Sequence, residues 1–372
     1  PGVPDPSQSG LFTHLNLNKR SVIIDFSEPS DTARMHELLA EADLLVHDLP
    51  PGAADLVGLH EDDLARRHPS LVTVSVTPFG RSGPYSKWCA EDLQLIHGGG
   101  WGWMTPGCSD EIDLPPLKPA GQQAGFQIGF AAATIALGAL DRSLCTGEGE
   151  HLDLAGMAYI SSMLEAGFIS WSYLNEIPGR AGTRILNPWR IFEVADGRIF
   201  IVCVEDDQWA RLKEVMGSPE WAQMEIFDTQ AGRFDAEDLL HMWLGEWAAP
   251  QRVMDLFHLG QGNRIGFAPV NTIEQMLEDP HLRERGFLVE VDQPGLGKIT
   301  LPGPVARLAK SWWSVREPAP ALGEHQDATF VEPRTADQLV EQPRSRPLEG
   351  VTVADFTWVW AGPFCTMHLA HL

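Results

Sequence analysis

The sequence has few basic residues and no cysteine pattern that would indicate disulfides or zinc. Lys and Arg number 27 against 51 Asp and Glu in 372 residues, which gives a formal net charge of −24. Such a charge repels polyanions and anionic membrane surfaces, so it argues against binding to nucleic acid or to a membrane. The five cysteines are scattered and never form CxxC. We therefore expect a reducing, cytoplasmic location and no metal centre.

The common catalytic motifs are absent as well. The glycines of GGGWGW at 98–103 are out of register for GxGxxG, and there is no Walker A, HExxH or GxSxG motif. These absences argue against the standard nicotinamide, P-loop, zinc-protease and α/β-hydrolase sites. The sequence does not open as a signal peptide would. Its longest apolar stretch, 124–140, is rich in Gly and Ala and short for a membrane span, so we predict a core helix there.

The first third of the chain alternates between strand and helix patterns. Apolar, β-rich runs at 21–26, 44–47 and 70–76 are separated by helical spacing after Asp31 and at 61–68. This βαβαβ order predicts an α/β fold with a Rossmann-like, doubly wound large domain.

The middle of the chain predicts a smaller α+β domain inserted into the large one. Two β-rich runs, 190–194 and 198–204, join around Asp196-Gly197, which is a strong hairpin signal. Short helical stretches follow at 207–216, 236–247 and 251–259. The predicted segments are a large domain at 1–180, the small domain at 181–292, a return to the large domain at 293–327, a Pro-rich linker at 328–347 and a new α/β unit at 348–372 that opens with a strand at 351–356.

Several stretches together resemble one family, the family III CoA-transferases of the formyl-CoA transferase and carnitine CoA-transferase type. The stretches are NLNKRSVIIDF at 16–26, ADLLVHDLPPGAADLVGL at 42–59, HPSLVTVSVTPFGRSGPYS at 68–86, TGEGEHLDL at 146–154, GFAPVNTIEQMLEDPHLRERGFLVEV at 266–291 and APALGEHQD at 319–327. The resemblance implies an interlocked-dimer architecture.

The end of the chain resembles the beginning of the same family. LEGVTVADFTWVWAGPFCTMHLAHL at 348–372 is similar to the family's opening strand and helix. We therefore expect the first repeat of a tandem fusion followed by the start of a second, with the chain continuing past Leu372. The alternative is a permuted single copy, in which the strand at 351–356 docks back into the first sheet.

The resemblance implies the chemistry and the partners. Members of the family move CoA from an acyl-CoA to a carboxylic acid, so CoA thioesters are substrates and no cofactor is covalently bound. An aspartate attacks the thioester, forms a mixed anhydride and is converted to an aspartyl-CoA thioester, which requires a desolvated carboxylate. The expected partners are an acyl-CoA, a carboxylic acid, and a second repeat or a homodimer partner.

Gly125 stands at the position where the family carries this aspartate. No Asp or Glu occurs between Leu114 and Leu140, so a small shift in alignment does not restore the nucleophile. Glu91 falls where the family often has a supporting active-site acid.

The positions that contact CoA in the family are only partly retained. Ile24, Leu49 and Val57 keep the apolar character expected beside an adenine. Asp48 stands where a neutral Asn is usual and Leu56 where a phosphate-binding Arg is common, which weakens binding of a polyphosphate. In the segment 348–372, the residues on CoA-contacting positions are Trp358, Val359 and Ala361.

Three functions are compatible with these residues. In the first, the protein is a CoA-transferase whose nucleophile lies in the second repeat, and this repeat is largely structural. In the second, this part is a non-catalytic acyl-CoA-binding or scaffold module. In the third, the fold serves an acyl-CoA dehydratase or racemase, which needs a base such as His47 or His97 near Glu91.

Overall fold

The computed structural model describes residues 9–107, 113–164, 167–180, 186–310, 313–327, 346–358 and 360–372. The chain divides into two compact units. One consists of Pro1–Ser21 and Thr183–His325, and the other of Val22–Gly182 and Gln326–Leu372. The predicted linker at 328–347 lies outside the described residues except for its last two positions, and the predicted domain bounds stay a prediction.

The Val22–Gly182 unit is built on a parallel sheet. Its strands are β1 (Leu44–His47), β2 (Val72–Thr77) and β3 (His151–Ala155), in the order β1-β2-β3. Leu44 pairs with Val72, and Thr73 pairs with His151. The α/β class and the strands predicted at 44–47 and 70–76 are confirmed, whereas β3 was not predicted as a strand.

Helices lie on both faces of this sheet. On one face, Leu45 of β1 packs against the cluster that contains Met35, Ala54 and Leu64 of three successive helices. On the other face, Val74 of β2 packs against Ala132 and Ala136. Numbered along the whole chain, the helices up to this point are α1 (Gly10–Asn16, in the other unit), α2 (Pro29–Ala40), α3 (Pro51–Leu56), α4 (Glu61–Arg67), α5 (Asp92–Gly98), α6 (Gln123–Thr146), α7 (Gly156–Ser162) and α8 (Gly167–Leu174).

The long helix α6 runs antiparallel to β2. Near its end, the Ser143 hydroxyl donates to the carbonyl of Ser70, just before β2 begins, at 2.8 Å. Near its beginning, Ile128 Cδ1 lies 2.8 Å from the point where a Cβ on Gly156 would stand, just after β3 ends. The helix ends at Gly147, which has a left-handed φ of 75°. The core helix predicted at 124–140 therefore exists, and its N-terminus lies at the carboxyl edge of the sheet.

Two predicted strands do not form. Residues 21–26 are irregular, and the Gln326 side chain satisfies the backbone of Ile23, accepting from its N–H and donating to its carbonyl at 2.9 Å each. Residues 351–356 are also outside any strand. Both predictions were wrong because a strand needs a neighbouring strand for its backbone hydrogen bonds, and neither run has one in the described part of the chain.

The other unit contains two antiparallel sheets. The first has the order β4 (Trp189–Val194), β5 (Gly197–Val202) and β6 (Gly266–Pro269), and the second pairs β7 (Leu288–Gln293) with β8 (Gly297–Pro302). Val194 pairs with Gly197, so the predicted hairpin is confirmed. The remaining helices are α9 (Asp206–Val215), α10 (Gln230–Asp235), α11 (Glu237–Ala248), α12 (Val253–Gly262), α13 (Ile273–Glu278), α14 (Pro280–Glu284) and, in the Gln326–Leu372 segment, α15 (Ala361–His371).

A fully buried arginine links several segments of this unit. The Arg233 guanidinium donates to the carbonyls of Asn187 and Phe227 at 2.8 Å each and to the Asp206 carboxylate at 2.6 Å. It also lies 5.4 Å from the ring centre of Trp209. A buried charge is tolerated when its donors are satisfied in this way.

We predict that Arg233→Met lowers the free energy of unfolding by about 3 to 5 kcal/mol, because it leaves buried acceptors without a donor. The control is Arg198→Met, which removes an exposed pair with Glu193 and is expected to cost less than about 1 kcal/mol. Urea denaturation followed by tryptophan fluorescence measures both. Equal losses of unfolding free energy in the two variants would contradict the stabilising role of the buried Arg233.

Candidate active site

The carboxyl edge of the parallel sheet is where a ligand is expected. In open α/β sheets, ligands bind outside the carboxyl ends of the strands. Asp48 and Leu49 follow β1 there, Pro78 follows β2, and Gly156 follows β3. The Met157 N–H donates to the Pro78 carbonyl at 2.9 Å, which ties the ends of β2 and β3 together.

A buried carboxylate fixes the beginning of α6 at this edge. Asp92 Oδ1 accepts from the backbone N–H of Ala124 at 2.7 Å, and Asp92 Oδ2 lies 3.0 Å from Lys118 Nζ. The Asp92 side chain is only 5% exposed. Gln122, the N-cap residue of α6, makes no side-chain cap. Asp92 therefore serves as the cap of α6, although it belongs to α5.

Gly125 follows directly in the first turn of α6 and is exposed. A Cβ at this position would meet no atom within 4 Å, and the same holds for Gly129 one turn later. The first turn of α6 thus has room for a side chain at position 125. The glycine leaves it without a nucleophile.

Glu91 caps α5, and its role as a supporting acid stays a prediction. Its carboxylate accepts from the backbone N–H of Gln94, and the Gln94 side chain accepts from the Glu91 N–H at 3.0 Å. Glu91 is exposed, whereas its neighbour Asp92 is buried on the same face as Leu95 and Ile96. Sequence reasoning singled out Glu91 and missed Asp92. The capping pattern EDLQ was the available signal, because it places Asp92 in the first turn of a helix.

A polar network occupies the face of the sheet opposite α6. The Ser75 hydroxyl lies 2.9 Å from His47 Nε2 and 2.8 Å from His151 Nε2. His151 Nδ1 lies 3.4 Å from the Glu61 carboxylate. Because a serine hydroxyl has one proton, it donates to one ring and accepts from the N–H of the other when both rings are neutral. His47, considered above as a base, is thus a buried member of this network, while His97 is exposed on α5.

Arg81 holds the segment after β2 against this network. Its backbone N–H donates to both carboxylate oxygens of Asp153, at 3.0 and 2.9 Å. Its guanidinium lies 3.5 Å from Asp55 on α3 and 3.5 Å from Glu61 on α4. The segment that leads to α5 is therefore fixed at its beginning.

Burial lowers the pKa of His47, and the charges of Arg81 and His151 lower it further against the opposing charge of Asp48. Burial also lowers the pKa of His151, where the Glu61 charge opposes the shift and Arg81 adds to it. Both shifts favour the neutral form of the two rings.

The structure brings together three of the residues predicted to contact CoA. Ile24, Leu49 and Val57 all pack against one apolar cluster. The members of that cluster are Met35, Leu39, Ala54, Leu59, Leu64 and Leu71. Asp48 and Leu56 are exposed beside these positions. Their role toward a ligand stays a prediction.

The predicted CoA contacts of the C-terminal segment are not members of this apolar cluster. Trp358 is 87% exposed, Ala361 is the first residue of α15 and is exposed, and Val359 lies outside the described residues. A cavity of about 650 Å³ lies between the extended segment and α15, lined among others by Leu348, Val353 and Met367. Gly125 and Asp92 do not line it. We attribute this cavity to the unpaired segment rather than to a catalytic site.

Comparisons with known proteins agree with this geometry. The family model described as CoA-transferase family III matches residues 2–326. The chain belongs to the family III CoA-transferases. It is 27% identical over 335 residues to the succinate–glutarate CoA-transferase of Agrobacterium fabrum, covering 89% of this chain and 82% of that protein. It is 28% identical over 332 residues to the succinyl-CoA–D-citramalate CoA-transferase of Chloroflexus aurantiacus, covering 86% and 79%.

A solved structure has a similar fold. The CAIB/BAIF family protein from Brucella suis is 26% identical and superposes with a TM-score of 0.75, over 85% of this chain and 82% of that one. As a family III CoA-transferase, the protein is an enzyme, and CoA thioesters are its substrates. The resemblance identified from the sequence is confirmed at the level of the family.

We predict that the free energy of unfolding falls as the pH drops below about 6.5, the pKa of an unperturbed histidine. His47 and His151 have lowered pKa values in the folded state, so the unfolded chain binds more protons in this range. The free energy of unfolding falls by up to about 1.4 kcal/mol per pH unit for each additional proton that the unfolded chain binds. Urea denaturation between pH 5 and 8 measures it.

The double variant His47→Gln, His151→Gln tests the origin of this slope. We expect a shallower dependence on pH in the variant. Some dependence remains, because burial also lowers the pKa of His36 and His68. Parallel curves for the two proteins would rule out the Ser75 network as a source of the pH dependence.

Proposed function

We propose that the protein transfers CoA between an acyl-CoA and a carboxylic acid in the cytoplasm, and that residues 1–327 form one repeat that shapes an active site without supplying its nucleophile. The observation that carries the proposal is Gly125. It occupies the first turn of α6 at the carboxyl edge of the sheet, with open space around it. The fold is thus present where the attacking carboxylate is missing.

Asp92 is not a substitute for that carboxylate. A nucleophile must reach the substrate. Asp92 Oδ1 accepts from the Ala124 N–H, Oδ2 forms an ion pair with Lys118 at 3.0 Å, and the side chain is only 5% exposed. The buried side chain is held as part of the fold rather than presented to a substrate.

The substrate class follows from the family, and the individual substrates are left open. The relatives compared above carry the names of transferases acting with succinate, glutarate or citramalate. The sequence resemblance suggested the formyl-CoA and carnitine type instead. We propose only what these share, an acyl-CoA donor and a carboxylic acid acceptor, with Ile24, Leu49 and Val57 beside the adenine.

The segment 348–372 is proposed to begin a second repeat that carries the aspartate. One observation supports this over a permuted single copy. Residues 351–356 pair with no strand of the described sheet, whereas a permuted copy would dock them there. In this proposal the small domain at 181–292 is inserted into the first repeat.

The second repeat, or a second copy of the chain, is proposed to cover an exposed apolar surface. Phe130 and Leu137 of α6 are 70% and 68% exposed, and Tyr173 of α8 is 83% exposed. Helix α8 has no buried residue although it is apolar all round. Surfaces of this kind mark interfaces in soluble proteins.

The first test is to trap an enzyme–CoA thioester on the full-length protein. Incubation with succinyl-CoA, followed by hydroxylamine cleavage and peptide mass analysis, locates the modified residue. We expect an aspartate in the second repeat at the position corresponding to Gly125. An adduct on a residue within 1–327, or a second repeat with no Asp at the position corresponding to Gly125, would contradict the proposal.

The second test restores a carboxylate in the first repeat. We predict that Gly125→Asp folds normally and gains up to about 1 kcal/mol in stability, because glycine is unfavourable in a helix and an acid is favourable in its first turn. It should also form the covalent adduct that the unmodified repeat lacks. The matched control is Gly129→Asp, on the same face one turn later, which has equal space but should form no adduct.

A further inference from the structure

We propose that Asp92 and Lys118 are positioning residues, which hold the first turn of α6 so that a carboxylate introduced at position 125 would point at the thioester. The inference deepens the proposed function and rests on it. It concerns residues that do not touch the reacting atoms and that act through the backbone of α6.

The contacts form a short chain from one helix to the next. Glu91 caps α5 and thereby places Asp92 in its first turn. Asp92 Oδ1 accepts from the Ala124 N–H at 2.7 Å. Position 125 is the next residue along the chain. An error in the placement of Asp92 is therefore passed directly to the Cα of residue 125.

Lys118 contacts the second oxygen of the same carboxylate. Its Nζ lies 3.0 Å from Asp92 Oδ2 and also donates to the carbonyls of Pro119 and Gly121. These carbonyls belong to the segment that enters α6. One ammonium thus joins the carboxylate of α5 to the backbone just before α6, and the entry segment cannot shift without breaking these contacts.

The first turn of α6 needs such an external anchor. The first four N–H groups of a helix have no partner within it, and Gln122 supplies no side-chain cap. Further along, α6 is fixed by Ile128 against Gly156 and by alanines against β2. Gly125 lies before these contacts, where a glycine leaves the backbone loose. Asp92 and Lys118 restrain this turn through polar contacts, and Ala124 packs against Leu95 and Ile96 of α5.

The reaction is sensitive to this restraint because geometry dominates covalent catalysis. A displacement of about 1 Å in a reacting group can lower a rate by about 100-fold. A merely structural pair would lower stability and leave the rate of the folded enzyme unchanged. The two roles therefore predict different results.

The first experiment measures hydrogen exchange in the unsubstituted chain and in Asp92→Ala. We expect the Ala124 amide to exchange about 10-fold faster or more in the variant, while amides in the middle of α6 keep their protection. Unchanged exchange at Ala124 would overturn the inference, and so would a loss of protection along the whole helix.

The second experiment measures adduct formation with succinyl-CoA in the Gly125→Asp background. Asp92→Asn and Lys118→Met are each expected to lower the maximal rate about 10- to 100-fold, with the succinyl-CoA concentration at half-maximal rate changed by less than about twofold. Lys118→Arg should restore much of the rate, because it keeps the charge. An unchanged rate in both Asp92→Asn and Lys118→Met would overturn the inference.

Asp206→Asn is the matched control in the same background. It weakens the pair with the buried Arg233 and should lower stability without lowering the rate. If Gly125→Asp forms no adduct at residue 125 while Asp92→Ala still frees the Ala124 amide, the positioning role is wrong and Asp92 is a structural cap only, whereas the proposed function is judged separately by the adduct on the second repeat. If Gly125→Asp reacts equally well with and without Asp92, the proposed function stands and the positioning role is wrong.

Discussion

The direction in which α6 lies on the parallel sheet is the constraint on which the candidate site depends. The contact of Ser143 with Ser70 fixes its end at the amino edge, and the contact of Ile128 with Gly156 fixes its beginning at the carboxyl edge. Close packing on β2 is possible because the inward face of α6 carries alanines. The first turn of α6 is consequently directed to the edge where α/β proteins bind ligands.

The same helix separates two kinds of surface. Its inward face carries small, buried side chains, mainly alanines. Its outward face carries Phe126, Phe130 and Leu137, which are exposed. By length and composition alone, α6 would suffice to cross a membrane. Its alanines packed on the sheet fit a helix of the core instead, and the outward side chains fit the proposed contact with a second repeat or copy.

The sequence pattern predicted the elements whose signal is local, and it failed where structure depends on a neighbour. The runs at 44–47 and 70–76 became β1 and β2 because they pair with each other. The equally apolar runs at 21–26 and 351–356 formed no strand because nothing described pairs with them. Burial of Asp92 beside α6 depends on how α5 and α6 pack, which the order of residues along one helix does not contain.

Fold and chemistry place different demands on neighbouring residues of α6. Ala124 is buried and bonded, so a change there disturbs the core, whereas Gly125 touches nothing that a side chain would displace. The fold therefore does not need a side chain at position 125, while loss of the Asp92 carboxylate removes the acceptor of the Ala124 amide and the ion-pair partner of Lys118. In the proposed function, this separation lets a repeat keep the fold of its family, matched over residues 2–326, without carrying a carboxylate at position 125.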